Sequence, residues 1–353
     1  MTLVLIAVLI AAAAVQGEQC KGTGSEKGDA MKPRALPKGM STWVYHYRDG
    51  VARQVERYNA KARPEMRFSY LFPYAGSVAF GDQRGKAAVH YRDESTQAYA
   101  RALPGVLMLP IVDGRTDEGE FDGWTEEQYR EAARQVAKCV NDDPDAAGVQ
   151  IDIEPFKPDH LPFYRHLREL LNAKGKYCTM FVGAGRRDIL VRVFQSCDVV
   201  VISGYDMLGE NQGAAAYRQA LTGAVARSQQ AAEETGGHYM VGIPAAASWG
   251  EYEYVAGGPS ASSGSPPAQG KPPRAQSRGG EAGRVETGVK QEEYVKAALE
   301  VVRPYQDRSE YLGLALWHMS DPETEFEQPE KATGPTKFPN VIRDSVWKML
   351  ESY

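Results

Sequence analysis

Apolar positions in this chain fall into eight short, nearly continuous runs, and between them polar and apolar residues recur at helical spacing. Runs of this length, rich in Val, Ile, Leu and aromatic residues, predict strands over 41–47, 67–74, 106–113, 148–154, 177–182, 198–206, 239–244 and 311–317. The intervening periodicity predicts helices over 49–62, 94–103, 125–140, 160–173, 189–195, 214–234, 291–304 and 340–350, the third opening on a Thr125–Gln128 capping box. The stretch 76–91 reads as an extended loop or hairpin. Strands without polar alternation are those covered on both faces, as in parallel sheets flanked by helices. Eight strand–helix repeats therefore predict an α/β protein of (β/α)8 TIM-barrel type, one domain over 41–353. An open doubly wound sheet is the alternative, but no G-x-G-x-x-G follows any strand, and no nucleotide site is expected.

One run breaks the apolar rule. In Gly148-Val149-Gln150-Ile151-Asp152-Ile153-Glu154-Pro155 a polar residue stands at every second position. Successive side chains on a strand alternate faces, so Val149, Ile151 and Ile153 share one side and Gln150, Asp152 and Glu154 the other. A buried carboxylate is costly unless paired or hydrogen-bonded, so two on one inward face need a structural or chemical reason. Pro155 favours an extended Glu154 and removes a donor, which suits the end of a strand. Barrel enzymes build their sites at the C-terminal strand ends, where Asp113, Glu154, Asp206 and Trp317 fall.

Composition narrows the partners. The 353 residues are 42% hydrophobic, enough for a full core, and a formal charge of −5 with a pI near 5.8 leaves no basic excess for nucleic acid. A neutral or polar ligand fits better. Residues 1–15 are apolar but too short for the ~20 residues of a membrane span, and Val15-Gln16-Gly17 offers a cleavage site. We expect a signal peptide over 1–17, a polar leader over 18–40, and a secreted or periplasmic monomer with no membrane span. The residues before Cys20 do not form a lipobox, so no lipid anchor is expected. Cys20, Cys139, Cys178 and Cys197 lack zinc-site spacing; Cys178 and Cys197 could pair or be buried thiols. The histidines show no metal-ligand spacing either, and neither metal nor cofactor is expected. Residues 257–283 are Gly/Ser/Pro/Ala-rich and read as a mobile loop.

The motifs then become specific. The run 148–154 resembles the second half of D-G-x-D-x-D-x-E, the signature that family 18 glycoside hydrolases carry on barrel strand four. Ser203-Gly204-Tyr205-Asp206-Met207 is similar to that family's Tyr-Asp motif on strand six, and 313–317 to its strand-eight segment ending in Trp. The signature's first Asp is Ala147 here and its second Gln150, and Leu109-Pro110-Ile111-Val112-Asp113-Gly114 replaces a Gly-rich motif on strand three. The resemblance implies a chitinase-like or endo-β-N-acetylglucosaminidase-like enzyme cleaving N-acetylglucosamine-containing glycans by substrate-assisted, retaining hydrolysis. It makes Glu154 the general acid, Asp152 and Tyr205 the groups holding the 2-acetamido group, and Trp317 an apolar floor. Asp206, with Gln150 and Asp113, joins the substrate-binding set.

Other readings stand beside this one. Asp152 and Glu154 could serve structural ion pairs, Tyr205 and Trp317 core packing, and Asp113 and Asp206 helix N-caps. Trp43, Tyr45, Tyr70 and Trp249 could line a sugar cleft or pack the barrel. A carbohydrate-binding barrel without catalysis is one functional alternative. A two-carboxylate retaining glycosidase with Glu251 or Glu253 as nucleophile is another. Many family 18 chitinases insert an α+β domain after strand seven; this chain has 257–283 there, and a shallower, more open cleft is expected.

Overall fold

The computed structural model describes residues 35–80, 87–115, 124–154, 156–207, 213–245, 252–255, 283–286, 290–319, 325–327, 337–339 and 342–353. The expected signal peptide, Cys20, Trp249, Glu251 and nearly all of 257–283 lie outside them.

Eight parallel strands close on themselves: β1 Ser41–Val44, β2 Tyr70–Phe80, β3 Ile111–Arg115, β4 Gly148–Glu154, β5 Tyr177–Val182, β6 Val199–Ile202, β7 His238–Pro244 and β8 Tyr311–Trp317. Closure is direct, since β1 pairs with β8 through Ser41–Ala315 and with β2 through Trp43–Phe72. Helices α1 Asp49–Asn59, α2 Glu94–Ala102, α3 Glu126–Asp142, α4 Leu161–Asn172, α5 Arg187–Phe194, α6 Ala214–Thr235, α7 Gln291–Val302 and α8 Asp344–Ser352 alternate with them. This is a TIM barrel. Among the described residues no helix is long and apolar enough to cross a membrane.

Side-chain parity divides the apolar residues into two cores. Val149, Ile151 and Ile153 of β4 join Val112, Met180, Val200, Val241 and Leu316 in the shell between sheet and helices. Trp43, Phe72, Ile111, Phe181, Val201, Met240 and Ala315 fill the barrel interior. Gln150, Asp152 and Glu154 alternate with the shell residues, so they face inward as the spacing requires.

Several boundaries differ from expectation for identifiable reasons. Helix α3 begins where predicted: the Thr125 hydroxyl accepts from the Gln128 amide at 3.4 Å and the Gln128 side chain from the Thr125 amide at 2.7 Å. The third strand is split by Pro110, which has no N–H to give; Leu107–Met108 pairs with β2 and bridges through Met108 to Ala146, and β3 resumes at Ile111 and runs to Arg115. Strand β2 continues past its expected end and forms an antiparallel ladder with Ala87–Tyr91, the hairpin option for 76–91. In β8, Gly313 holds φ of 153°, and a Cβ there would lie 2.1 Å from the Gly39 carbonyl oxygen. Register slips at this point, which sets the phase that turns Ala315 and Trp317 inward. Asp198 fastens β6 to its neighbours, accepting from Arg168 at 2.7 Å, Asn172 at 3.2 Å and the Cys178 amide at 2.8 Å. Cys178 and Cys197 are free buried thiols, pushed up by burial.

Candidate active site

Strand β4 climbs from core to solvent along a single face. Gln150 is fully buried, Asp152 half-buried and Glu154 exposed at the C-terminal rim. The ~6.6 Å between alternate residues of a strand separates each step from the next. The buried end is unusual: neither amide atom of Gln150 has a hydrogen-bond partner, and Thr179, its register neighbour on β5, commits its hydroxyl to the Val149 carbonyl at 3.0 Å. An unsatisfied buried amide costs stability.

Register brings a third carboxylate to this wall. Asp113 on β3 is the Cα partner of Asp152, half-buried like it, and Arg115 is the Cα partner of Glu154. The Tyr74 hydroxyl donates to Asp113 Oδ1 at 3.4 Å. Burial, the Asp113 charge and that bond push the Tyr74 phenol up to about 12. Burial and then the charges of Asp152, Asp113 and Glu154 raise the Tyr45 phenol well above its ordinary value. Tyr45 is nevertheless 44% solvent-exposed, a ring standing over the three carboxylates.

The opposite wall is aromatic. Tyr205 stacks on Trp317 with ring centres 4.6 Å apart and planes 15° from parallel, and on Phe181 at 5.7 Å and 13°. Trp43 meets Phe72, Phe181, Tyr205 and Trp317 with its ring tilted or edge-on to theirs. Tyr45 faces Trp317 at 6.4 Å, Tyr74 at 6.4 Å and His318 at 5.2 Å. His318 is buried, and burial lowers its pKa to about 4, against a hydrogen bond to the Met319 backbone.

The sequence-derived candidates are thus largely brought together. Asp113, Asp152, Glu154, Tyr205 and Trp317 face the same end of the barrel interior, while Gln150 lies beneath them. Tyr205 sits in a 3-10 turn, Tyr205–Met207, rather than on strand six, which ends at Ile202. The Ser203 amide still reaches the Val182 carbonyl at 2.8 Å, but the chain then turns on the Gly204 amide's bond to Ile202. Asp206 follows in that turn, its side chain outside what is described. Tyr205 is only 4% exposed and covers one face of the Trp317 indole. Trp43 and Tyr70 are buried interior residues, and Tyr45 alone of the suggested cleft aromatics in the described residues is exposed. Glu253 lies in Tyr252–Val255, a short strand paired antiparallel with Gly283–Glu286. Phe181, Tyr74 and His318 were missed by sequence reasoning. Tyr74 could have been found from its inward parity at the C-terminal end of the second strand.

A separate groove of about 390 Å³ on the barrel flank is lined by Trp124, Tyr129, Asp159, Arg165 and Arg192, among others, and by none of the carboxylates above.

No family model matches the sequence, and no curated protein matches it. Solved structures do. The chain is similar to the GH18 chitinase ChiB from the chitin utilization locus of Flavobacterium johnsoniae, at 12% identity and TM-score 0.50, over 90% of this chain and 94% of that one. It is also similar to a GH113 β-1,4-mannanase, at 14% identity and TM-score 0.50, over 92% of this chain and 99% of that one. A third match is Ruminococcus gnavus β-glucuronidase, at 11% identity and TM-score 0.51, over 90% of this chain and 50% of that one. The chain has the barrel fold found in glycoside hydrolases, chitinases among them.

Proposed function

We propose that this protein is a glycoside hydrolase acting on N-acetylglucosamine-containing glycans, in which the substrate's own acetamido oxygen attacks the anomeric carbon and configuration is retained. The observation that carries the reading is the climb along β4 from buried Gln150 through half-buried Asp152 to exposed Glu154, facing a stacked Tyr205–Trp317 wall. Glu154 at the rim can reach a glycosidic oxygen and donate its proton to the leaving group. Asp152, one step deeper, holds the acetamido nitrogen and stabilises the positive charge that develops as the carbonyl closes on the ring. Tyr205 hydrogen-bonds the same group, and Trp317 receives the sugar's apolar side. Tyr45 adds an exposed ring beside it. The general acid need not share a proton with a second protein nucleophile, since substrate-assisted hydrolases are the exception to the two-carboxylate scheme. Export follows the apolar run of residues 1–15 and belongs to the same proposal.

Hydrolysis of a chromogenic N,N′-diacetylchitobioside by the full chain tests this. Release of the chromophore, lost in Glu154→Gln with the glycan still bound, supports an enzyme. Binding of chitooligosaccharides without release in the wild type would make the barrel a lectin.

A further inference from the structure

We infer that the groove on the barrel flank is a second saccharide site, one that takes a carboxylate-bearing sugar and holds its charge between Arg165 and Arg192. The groove crosses the first turns of α4, with Trp124 and Tyr129 from the start of α3 on one side and Arg192 and Gln195 from the end of α5 on the other. Its volume of about 390 Å³ falls at the small end of the ~300–1,000 Å³ of small-ligand sites, so it admits a short saccharide and excludes a folded partner. Charge sets it apart from the surface around it. Helices α4 and α5 carry four arginines, of which Arg168 pairs with Asp198 at 2.7 Å and Arg187 with Glu234. The other two, Arg165 and Arg192, both line the groove, and among the described residues neither guanidinium has an ion pair or a hydrogen bond. Asp159 lines it as well and pairs with neither.

Two guanidiniums and one carboxylate leave the groove with a net charge of +1, in a chain whose formal charge is −5. One sugar carboxylate neutralises that charge, and a guanidinium fork matches it with paired N–H donors. A phosphate monoester, at about −1.5 to −2, would exceed it and meet Asp159. The first turn of α4 holds no acidic residue, so the positive end of that helix adds to the attraction. The remaining lining suits a sugar. Trp124 is half-buried and packs on Tyr129 with ring centres 5.3 Å apart and planes 49° from parallel, an aromatic surface of the kind that takes the apolar side of a pyranose. Asp159 can accept from sugar hydroxyls, and Gln195 can accept or donate. The floor is set before any ligand arrives: Arg168 donates to the Gln195 carbonyl at 3.2 Å, and the buried Ser196 hydroxyl donates to the Arg192 carbonyl at 2.8 Å. The end of α5 is thereby tied to α4, and Arg192 projects from anchored backbone. None of these residues belongs to the barrel mouth, so the inference stands apart from the reading of the acidic wall.

The test is a titration of the full chain with trigalacturonate, an acidic saccharide without an acetamido group, followed by calorimetry and by tryptophan fluorescence. Wild type is compared with Arg165→Gln, Arg192→Gln, Trp124→Phe and Glu154→Gln. Both arginines are exposed, so their variants should melt within about 1 °C of wild type. The expected result is one saccharide per chain, bound about tenfold more weakly in each arginine variant and more weakly again as salt is raised. Its fluorescence change should vanish in Trp124→Phe, and its affinity should be unaltered in Glu154→Gln. Neutral chitotriose should bind with an affinity that neither arginine variant changes. Failure of trigalacturonate to bind, or binding unchanged in both arginine variants, would overturn the site. Binding lost in Glu154→Gln and kept in the arginine variants would move the saccharide to the barrel mouth and overturn it equally. Tighter binding of glucose 6-phosphate or N-acetylglucosamine 6-sulfate would overturn the choice of a carboxylate.

Discussion

The two walls of the barrel mouth are built on opposite physical terms. The aromatic wall, Phe181, Tyr205, Trp317 and Trp43, is stacked, largely buried and continuous with the interior core, so it stabilises the fold whether or not a ligand is present. The acidic wall, Asp113, Asp152 and Glu154 above an unsatisfied Gln150, gathers like charges and an orphan amide where apolar residues would pack without penalty. Packing accounts for the first wall, while the second is built of acidic groups that packing alone does not call for. The difference locates function: changes on the acidic side should affect chemistry with little cost to the fold, and changes on the aromatic side should affect both.

The largest expected effect is on chemistry. Glu154 is exposed, so Glu154→Gln should leave the melting temperature within about 1 °C while kcat falls roughly 10³-fold, the scale of a lost general acid. Turnover near wild type would remove Glu154 from the mechanism. On the other wall, Tyr205→Ala should cost about 3–5 kcal/mol by opening a cavity between Phe181 and Trp317, measured by urea unfolding. A loss below about 1 kcal/mol would show that the stack does not support the barrel.

The third effect concerns acid stability. Burial lowers the pKa values of His160 and His318 to about 4, helped by the Lys157 charge and opposed by Asp159 for the first, and opposed by a Met319 backbone bond for the second. The unfolded chain takes up these protons near pH 6.5 while the native state refuses them until about pH 4. Stability is therefore complete above about pH 6.5 and declines as pH falls toward 4, by up to about 3 kcal/mol per histidine. His160 accepts from the Lys157 amide at 3.3 Å in the turn that follows Glu154, so His160→Asn should flatten the decline in unfolding free energy. A decline of unchanged size would place the proton uptake elsewhere.

The smallest effect has the opposite sign. Gln150→Met removes a fully buried amide with no partner and keeps its length, so unfolding free energy should rise by about 1–2 kcal/mol. A decrease would mean that the amide is satisfied in solution and belongs to the structural core.

Much of this was legible in the chain because strand parity is a local property. The inward set Gln150, Asp152 and Glu154 follows from period two alone, and the Thr125 box from a four-residue pattern. The strand boundaries that shifted did so where local chemistry outweighs hydrophobicity, at Pro110 and after Ile202. What could not be read was register between strands. Nothing in either segment alone says that Asp113 stands opposite Asp152, that Tyr74 reaches Asp113, or that His318 packs on Tyr45. Tyr205 and Trp317 were ambiguous between core and site because their stacked rings join the interior aromatic cluster at its upper end.

In the proposed mechanism the substrate's acetamido group, held by the acidic wall, does the work of a protein nucleophile. Inhibition by a cyclic thiazoline of N-acetylglucosamine, compared between wild type and Asp152→Ala, tests it most directly. Substrate assistance predicts competitive inhibition of the wild type that disappears in Asp152→Ala, and no labelling by a 2-fluoro glycosyl donor. A stable 2-fluoro glycosyl adduct on Glu251 or Glu253, with no thiazoline inhibition, would contradict it.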